Sequence, residues 1–439
     1  MPSILTESYP SLAEITSNPL LIDQLLAPAR AVLDNYVRGA LVDSEIPDSR
    51  FVRLGVLRVL SQARSGRDFL QQCQETFQED LRRSSFFAVL HSRRREQVVR
   101  ELNEQLVQRA TRDSQSAKVD LLGAFPELRH RAIFAVDGHL LEHACHSARD
   151  EEERHVAPSN LYLLCLHSGL ALNLAPVQGD GCHRHEMPVF RRRVVEWLRQ
   201  RGLGPKTLPI FIGDPAYVDK QFWTRMALWA QHGARVITRM KENMKPTVYA
   251  AQAWDKTAPV NGGVLADELV GFDGACLMRR VRYRDPETLQ EYEFLTTERT
   301  LPPGLVALLY LLRWRIEKLF DTGKNKLQET KMWATGEVAR ELQGHFFALT
   351  HNLLVLLGRE LERTHGLREQ KLEQKRARAL RERSQIAEAN GRQVPAVYWE
   401  LPVVQLSLQY IRAIRNGIWG KQRWAKVLPR LAIVLQVYL

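Results

Sequence analysis

The chain has 439 residues, 45% of them hydrophobic, enough apolar material for a large core in two to three domains, which excludes a disordered chain. Lys and Arg number 62 against 50 Asp and Glu, a formal net charge of +12, which supports a nucleic-acid partner although other basic proteins share that balance. No apolar stretch is long enough to cross a bilayer, the start MPSILTESYPSLAEITSNP has neither a basic opening nor a long apolar core, and five scattered cysteines suit a reduced interior, so the expected setting is the cytoplasm, with no membrane partner.

Residues 1–130 read as a helical region. Apolar residues recur at helical spacing near Leu20 to Val37, Phe51 to Gln62, Arg67 to Gln78, Ser85 to Leu90 and Arg94 to Arg112, separated by Pro, Ser and Gly. The breaks at Ser65-Gly66 and Ser84-Ser85, followed by Ser92-Arg93-Arg94-Arg95, suit either a helix-turn-helix reader of DNA ends or a helical bundle with a solvated basic face.

From Arg131 the texture becomes α/β. The apolar run Ala132 to Val136 ends abruptly in Asp137 and Gly138, and Ile210 to Ile212 runs into Gly213, Asp214 and Pro215. Continuous apolar runs bounded by Gly and Pro read as buried strands, so each delivers an aspartate at its C-terminal end, where open α/β sheets place their ligands. A single such Asp is as often a turn residue or a helix N-cap. Between them, residues 161–179 read as two strands joined at Ser168-Gly169, and Pro188 to Arg201 as a helix. Seven of the 13 histidines lie between His139 and His185. His143, Cys145, His146, Cys182, His183 and His185 are either a zinc set or loop histidines beside a nucleic-acid groove.

A helix over Lys220 to His232 and a strand over Ala234 to Arg239 follow. Between about 240 and 300 the helical period gives way to alternating Val, Leu, Tyr and Phe with turns at Gly262-Gly263 and Asp273-Gly274, a β-rich insertion in which Trp254 is either a stacking or a core residue. FLTTE, Phe294 to Glu298, reads as a short strand.

Then comes LLYLLRWRIEKLFDTGKNKLQE, in which Tyr310, Arg313, Glu317 and Lys324 stand three, four and seven residues apart. At helical periodicity they share one narrow arc, beside an arc of Leu305, Leu308, Leu309, Leu312, Ile316, Leu319, Phe320 and Leu327. An edge carrying a carboxylate, two cations and a phenol suits a metal ion and a phosphate. Residues 344–363 read as a second core helix. Arg359 to Arg383 carry nine Lys or Arg against five Glu, either a solvated face or a DNA contact. The tail interleaves Trp419 and Trp424 with Arg412, Arg415, Lys421, Arg423 and Lys426, a second DNA surface or a subunit contact.

These residues resemble a known family. Tyr310, Arg313, Glu317 and Lys324 match the Y-x2-R-x3-E-x6-K signature of DDE transposases of bacterial insertion sequences, specifically the insertion-sequence-four family, and Asp137 in VDGH and Asp214 in GDPAY fit its first two acidic positions. His185-Glu186 sits where that family commonly carries a His-Glu pair. The resemblance covers roughly Arg131 to Phe347. It implies an α/β fold with an RNase H-like catalytic domain at 131–358 containing the β-rich insertion, flanked by a helical DNA-end-binding region at 1–130 and a helical basic region at 359–439.

It further implies that Asp137, Asp214 and Glu317 are catalytic and hold two Mg²⁺ ions, with Mn²⁺ able to substitute, for hydrolysis at element ends and strand transfer into target DNA. Tyr310, Arg313 and Lys324 would contact DNA. The partners would be double-stranded DNA, at the element's terminal repeats and at the target, and a second copy in a homodimer on DNA, in a bacterial, nucleoid-associated setting. An RNase H-like nuclease without strand transfer, or a non-catalytic DNA-binding protein descended from a transposase, would share most of these features.

Overall fold

The computed structural model describes residues 18–34, 45–116, 122–129, 131–141, 159–177, 186–201, 208–229, 233–272, 277–285, 288–334, 336–367, 370–391 and 406–435. Among the described residues the first helices are α1 (Leu21–Leu33), α2 (Asp48–Leu60), α3 (Gly66–Phe77), α4 (Arg83–Leu90) and α5 (Arg93–Ser116). The α/β part follows as β1 (Ile133–Leu140), β2 (Ser159–Cys165), β3 (Ala171–Val177), α6 (Glu186–Arg201), β4 (Ile210–Ile212), α7 (Lys220–Leu228) and β5 (Arg235–Arg239). Next are β6 (Thr247–Ala251), β7 (Val264–Gly271), β8 (Met278–Arg284) and β9 (Glu291–Thr296), then α8 (Pro303–Leu312), α9 (Trp314–Asp321), α10 (Glu337–His365), α11 (Gln370–Ala389), α12 (Leu408–Trp419) and α13 (Trp424–Leu435).

The strands form one nine-stranded sheet in the order β3-β2-β1-β4-β5-β9-β8-β7-β6. β1, β4 and β5 are parallel, and the other neighbours pair antiparallel. The stretch read as a β-rich insertion therefore continues the main sheet, joined to it where Ile237 of β5 pairs with Thr296 of β9. Its base is pinned by Arg279, both buried and bidentate to buried Asp267 at 2.8 and 2.6 Å. Trp254 is only half-buried, with the Lys256 ammonium over its ring at 5.4 Å. The turn at Asp273-Gly274 lies outside the described residues.

Alternation along β1 assigns its two faces. Phe134 meets Trp197 of α6 edge-on at 5.3 Å, while His139 stacks on Phe320 of α9 at 5.0 Å and Phe347 of α10 at 5.7 Å. The even residues thus face α6 and the odd ones, Asp137 among them, face α9 and α10. α10 is the second core helix expected from the sequence, and its face from Leu342 to Leu354 is buried throughout. It also carries a buried amide clamp on the edge strand β3: Asn352 accepts from the Ala171 amide at 2.7 Å and donates to its carbonyl at 2.8 Å and to Asn103 of α5 at 2.6 Å.

The N-terminal helices pack on α10, with Phe51 edge-on to Phe346 at 5.4 Å. Arg93, Arg94 and Arg95 each find a partner within the fold. Arg93 pairs with Glu341, Arg94 is bidentate to Asp48 at 2.9 and 2.7 Å, and Arg95 is buried against the Phe51 ring and the Ile46 carbonyl. The tail is likewise used internally in part: Trp419 donates to the Leu60 carbonyl at 3.2 Å, and buried Arg415 donates to the Lys326 carbonyl at 2.6 Å. On the outside of the 359–383 stretch, Arg363 and Arg378 pair with Glu360 and Glu382 one turn away. Among the described residues no helix is long and apolar enough to cross a membrane.

Candidate active site

β1 and β4 are adjacent and parallel, with Ala135 opposite Ile212, so two residues further on Asp137 and Asp214 stand side by side at the C-terminal end of the sheet. The Asp214 carboxylate also accepts from the Ala216 amide at 2.8 Å and caps a short 3₁₀ helix, Pro215–Tyr217. Capping and site placement coexist in this residue. Asp137 accepts from the Gly138 amide at 2.9 Å.

Glu317 reaches the same place from the opposite layer. Arg313, at the junction of α8 and α9, spans the gap: its guanidinium lies 3.4 Å from Asp137 and 2.9 Å from Glu317. Tyr310, one turn earlier, is wedged between Phe294 of β9 at 4.9 Å and Arg313, whose guanidinium stands over its ring at 5.7 Å. Asp137, Asp214, Tyr310, Arg313 and Glu317 are therefore one constellation.

Lys324 departs from the expected arc. After Asp321 the chain passes into a π-helical turn, Thr322–Leu327, which breaks the α period on which that arc was drawn. Lys324 instead lines a cavity of about 270 Å³ together with Arg58, Arg64, Gln328, Lys331 and Trp333, so it faces the N-terminal helices. The turn closes against α12 through Arg415, and Lys326 donates to the Leu406 carbonyl at 2.9 Å. Periodicity read in the sequence assumes an unbroken helix, and nothing in the residues announces the extra one.

A fourth carboxylate joins from the other face of the sheet. Glu186, the first residue of α6, lies over Gly138, where a Cβ would overlap its carboxylate, and it accepts the hydroxyl of Tyr217. Glycine at position 138 is what lets Glu186 approach Asp137. The sequence offered Glu186 only through a likeness to a His-Glu pair; Tyr217 and the need for Gly138 carried no signal.

Crowded acids show in the electrostatics. Burial, then the neighbouring Glu186, push Asp137 up to about 7, with Asp214 adding to the rise and the Gly138 amide and Arg313 opposing it. Glu186 is raised by burial and by Asp214 against the pull of Tyr217, and the Tyr217 hydroxyl is raised by burial and by Glu186. Arg313 is raised: its own burial opposes this, but Tyr310, Asp137 and Glu317 outweigh it. Four carboxylates with one bridging arginine form an all-oxygen donor set with excess negative charge, which fits hard divalent cations such as Mg²⁺ or Mn²⁺.

A second acidic group, Glu96, Glu341 and His345, lies buried between α5 and α10. Its carboxylates are already met by Arg93, by Arg193 at 3.3 Å and by Arg100 at 3.7 Å, and His345 contacts Glu96 at 3.1 Å. Burial works to raise Glu96, yet His345, Arg100 and Arg93 hold it below its ordinary value. This compensated network welds α5 to α10, and a metal ion there would have to displace arginines. His143, Cys145, His146, Cys182, His183 and His185 lie outside the described residues. Of the other cysteines, Cys73 and Cys165 are buried free thiols.

Residues 129–353 match the family model described as transposase DDE domain. No curated protein matches the chain. Among solved structures, the cryo-EM structure of the piggyBac transposase synaptic complex with hairpin DNA aligns over 93% of this chain and 78% of that one, at 11% identity and a TM-score of 0.38. That likeness is too loose to carry any argument about the site.

Proposed function

This chain belongs to the transposase DDE domain family, its matched segment spanning just over half of its length, and on that premise we propose that it cuts DNA at the ends of a mobile element and joins those ends to a target. The observation that carries this reading is the bridge of Arg313 between Asp137 and Glu317, with Asp214 alongside on the neighbouring parallel strand. In this reading Asp137, Asp214 and Glu317 hold two Mg²⁺ ions, replaceable by Mn²⁺. When bound, the ions activate the attacking hydroxyl and stabilise charge on the phosphodiester.

The chain's own groups do the rest. Metal-free, Arg313 neutralises part of the acidic cluster and holds Asp137 and Glu317 in register; with DNA present the same guanidinium is within reach of a non-bridging phosphate oxygen. Tyr310, half-buried and fixed against Phe294, offers a rigid face to a terminal nucleotide. Lys324 meets the strand from the cavity shared with Arg58 and Arg64, which brings the N-terminal region to the DNA beside the catalytic helix. Tyr217 and Glu186 brace Asp137 from behind.

The finer assignments belong to the same proposal. Antiparallel β1 to β3, then a helix and a parallel β4, support an RNase H-like domain at 131–358, and the order of Tyr310, Arg313, Glu317 and Lys324 supports the insertion-sequence-four family. Residues 1–130 bind element ends and 359–439 form a basic helical region. Two copies act together on DNA, in a bacterial cytoplasm at the nucleoid.

The test is metal-dependent cleavage and joining of a labelled DNA carrying the sequences that flank the gene, comparing the wild type with Glu317→Gln, which keeps the side chain's size and removes its charge. The wild type cuts at the element end and joins it to target, while the variant binds and does neither. Cleavage without joined product would assign the chain to a nuclease of this fold instead. Equal binding with no cleavage by either protein would leave only DNA binding.

A further inference from the structure

α6 and α7 both begin at the acidic cluster, one with Glu186 and the other capped by Asp219, five residues after Asp214. They run side by side. Phe190 meets Phe222 at 6.0 Å near their starts, and the Arg199 guanidinium stands over the Trp229 ring at 5.2 Å near their ends. Between them lies a groove of about 650 Å³ lined by Arg191, Arg192, Arg199 and Arg225 together with apolar side chains that include Leu228 and Trp229.

Among the described residues no carboxylate lines this groove. Arg191 is taken by Asp219 at 2.9 Å, and Glu196, on the same helix, is paired with Arg193 at 3.2 Å. Arg192, Arg199 and Arg225 are exposed and have no carboxylate partner among the described residues. Leu228 is 73% exposed, a large apolar side chain left in water at the groove's far end. Three cations without a carboxylate partner among the described residues, beside apolar side chains, in a trough whose near end at Pro188 and Phe222 lies within one helical turn of Glu186 and Asp219, call for an elongated polyanion with apolar faces.

We propose that the α6–α7 groove carries the DNA strand that continues away from the scissile phosphate, with Arg192, Arg199 and Arg225 on its phosphates and Leu228 and Trp229 against sugar and base. This rests on the reading that the acidic cluster cuts DNA. The spacing agrees: Arg192 and Arg199 are seven residues apart, about 10 Å of helix rise, about the axial length of three base-pair steps of duplex DNA at roughly 3.4 Å each. Charge and position favour DNA over an acidic protein helix, because the near end of the trough, at Pro188, lies within one helical turn of Glu186 beside Asp137.

The experiment uses the full chain with Arg192, Arg199 and Arg225 all changed to Gln, and reads binding to a labelled duplex of arbitrary sequence without divalent metal across a salt series. Losing three phosphate contacts lowers the slope of log affinity against log salt by about 2.7, with at least about a tenfold weaker affinity at low salt. Equal slopes and affinities would overturn the proposal. As a second reading, Leu228 is replaced by the photo-reactive residue p-benzoylphenylalanine. Irradiation with DNA yields a protein–DNA adduct if the groove carries DNA, whereas an adduct only to a second protein chain would make the groove a subunit contact and overturn it. Neither readout needs cleavage, so a wild type that binds and never cuts would sink the catalytic reading and leave these outcomes separately legible.

Discussion

Raising the pH of the metal-free protein ionises a carboxyl group that the fold prefers neutral. Asp137 has an ordinary value of 3.8 and is pushed up to about 7 by burial and by Glu186 and Asp214. A raised folded value means that the native state holds its proton more tightly than the unfolded chain does. The penalty is therefore absent below 3.8, grows as pH rises through the window, and is complete above about 7. With Asp137 mostly buried, the rise from 3.8 to about 7 corresponds to roughly 4 kcal/mol, to be shared with its acidic neighbours. Urea unfolding of the wild type and Asp137→Asn from about pH 4 to about pH 8 reads this out. The two proteins are expected to be of similar stability at the acid end, and the variant more stable by several kcal/mol at the alkaline end. Mn²⁺ at alkaline pH should restore the wild type and leave the variant unmoved, because the ion replaces the proton. Parallel stability curves, or equal stabilisation of both by Mn²⁺, would refute the crowded-carboxylate account.

Gly138→Ala forces the Glu186 carboxylate away from Asp137; since a flexible side-chain end gives way, stability should fall by only about 1–2 kcal/mol while cleavage drops at least about tenfold, checked by unfolding and single-turnover rates. Arg279→Leu strands buried Asp267 at the base of the sheet extension and should lower stability by about 3–5 kcal/mol, whereas replacing both partners with apolar residues recovers most of it. Asn352→Leu leaves the Ala171 amide and the Asn103 side chain without their partner and should cost about 2–4 kcal/mol, with amide exchange accelerating in β3 first.

The two aspartates were readable because each closes an unbroken apolar run, and a run of that kind has few structures open to it besides a buried strand. Glu317 and Arg313 were readable from spacing. What the spacing left open was their relation to one another: Arg313 bridges two carboxylates because α9 lies on the odd face of β1, a matter of layer packing that no local pattern encodes. The surroundings of Lys324 were not legible for a different reason, the π turn after Asp321. Arg93, Arg94 and Arg95 looked like a surface patch since their partners, Glu341, Asp48 and the Ile46 carbonyl, are distant in the chain. Buried charge is visible in a sequence only when both members of the pair are near each other.

Whether the carboxylates of Asp137, Asp214 and Glu317 act on DNA through divalent ions is read out by placing sulfur on a non-bridging position of the scissile phosphate. Sulfur is a poor ligand for Mg²⁺ and a better one for Mn²⁺. The account predicts that one phosphorothioate isomer slows single-turnover cleavage strongly in Mg²⁺ and that Mn²⁺ restores much of the rate. Equal slowing in both metals, or cleavage that proceeds with neither metal present, would contradict it.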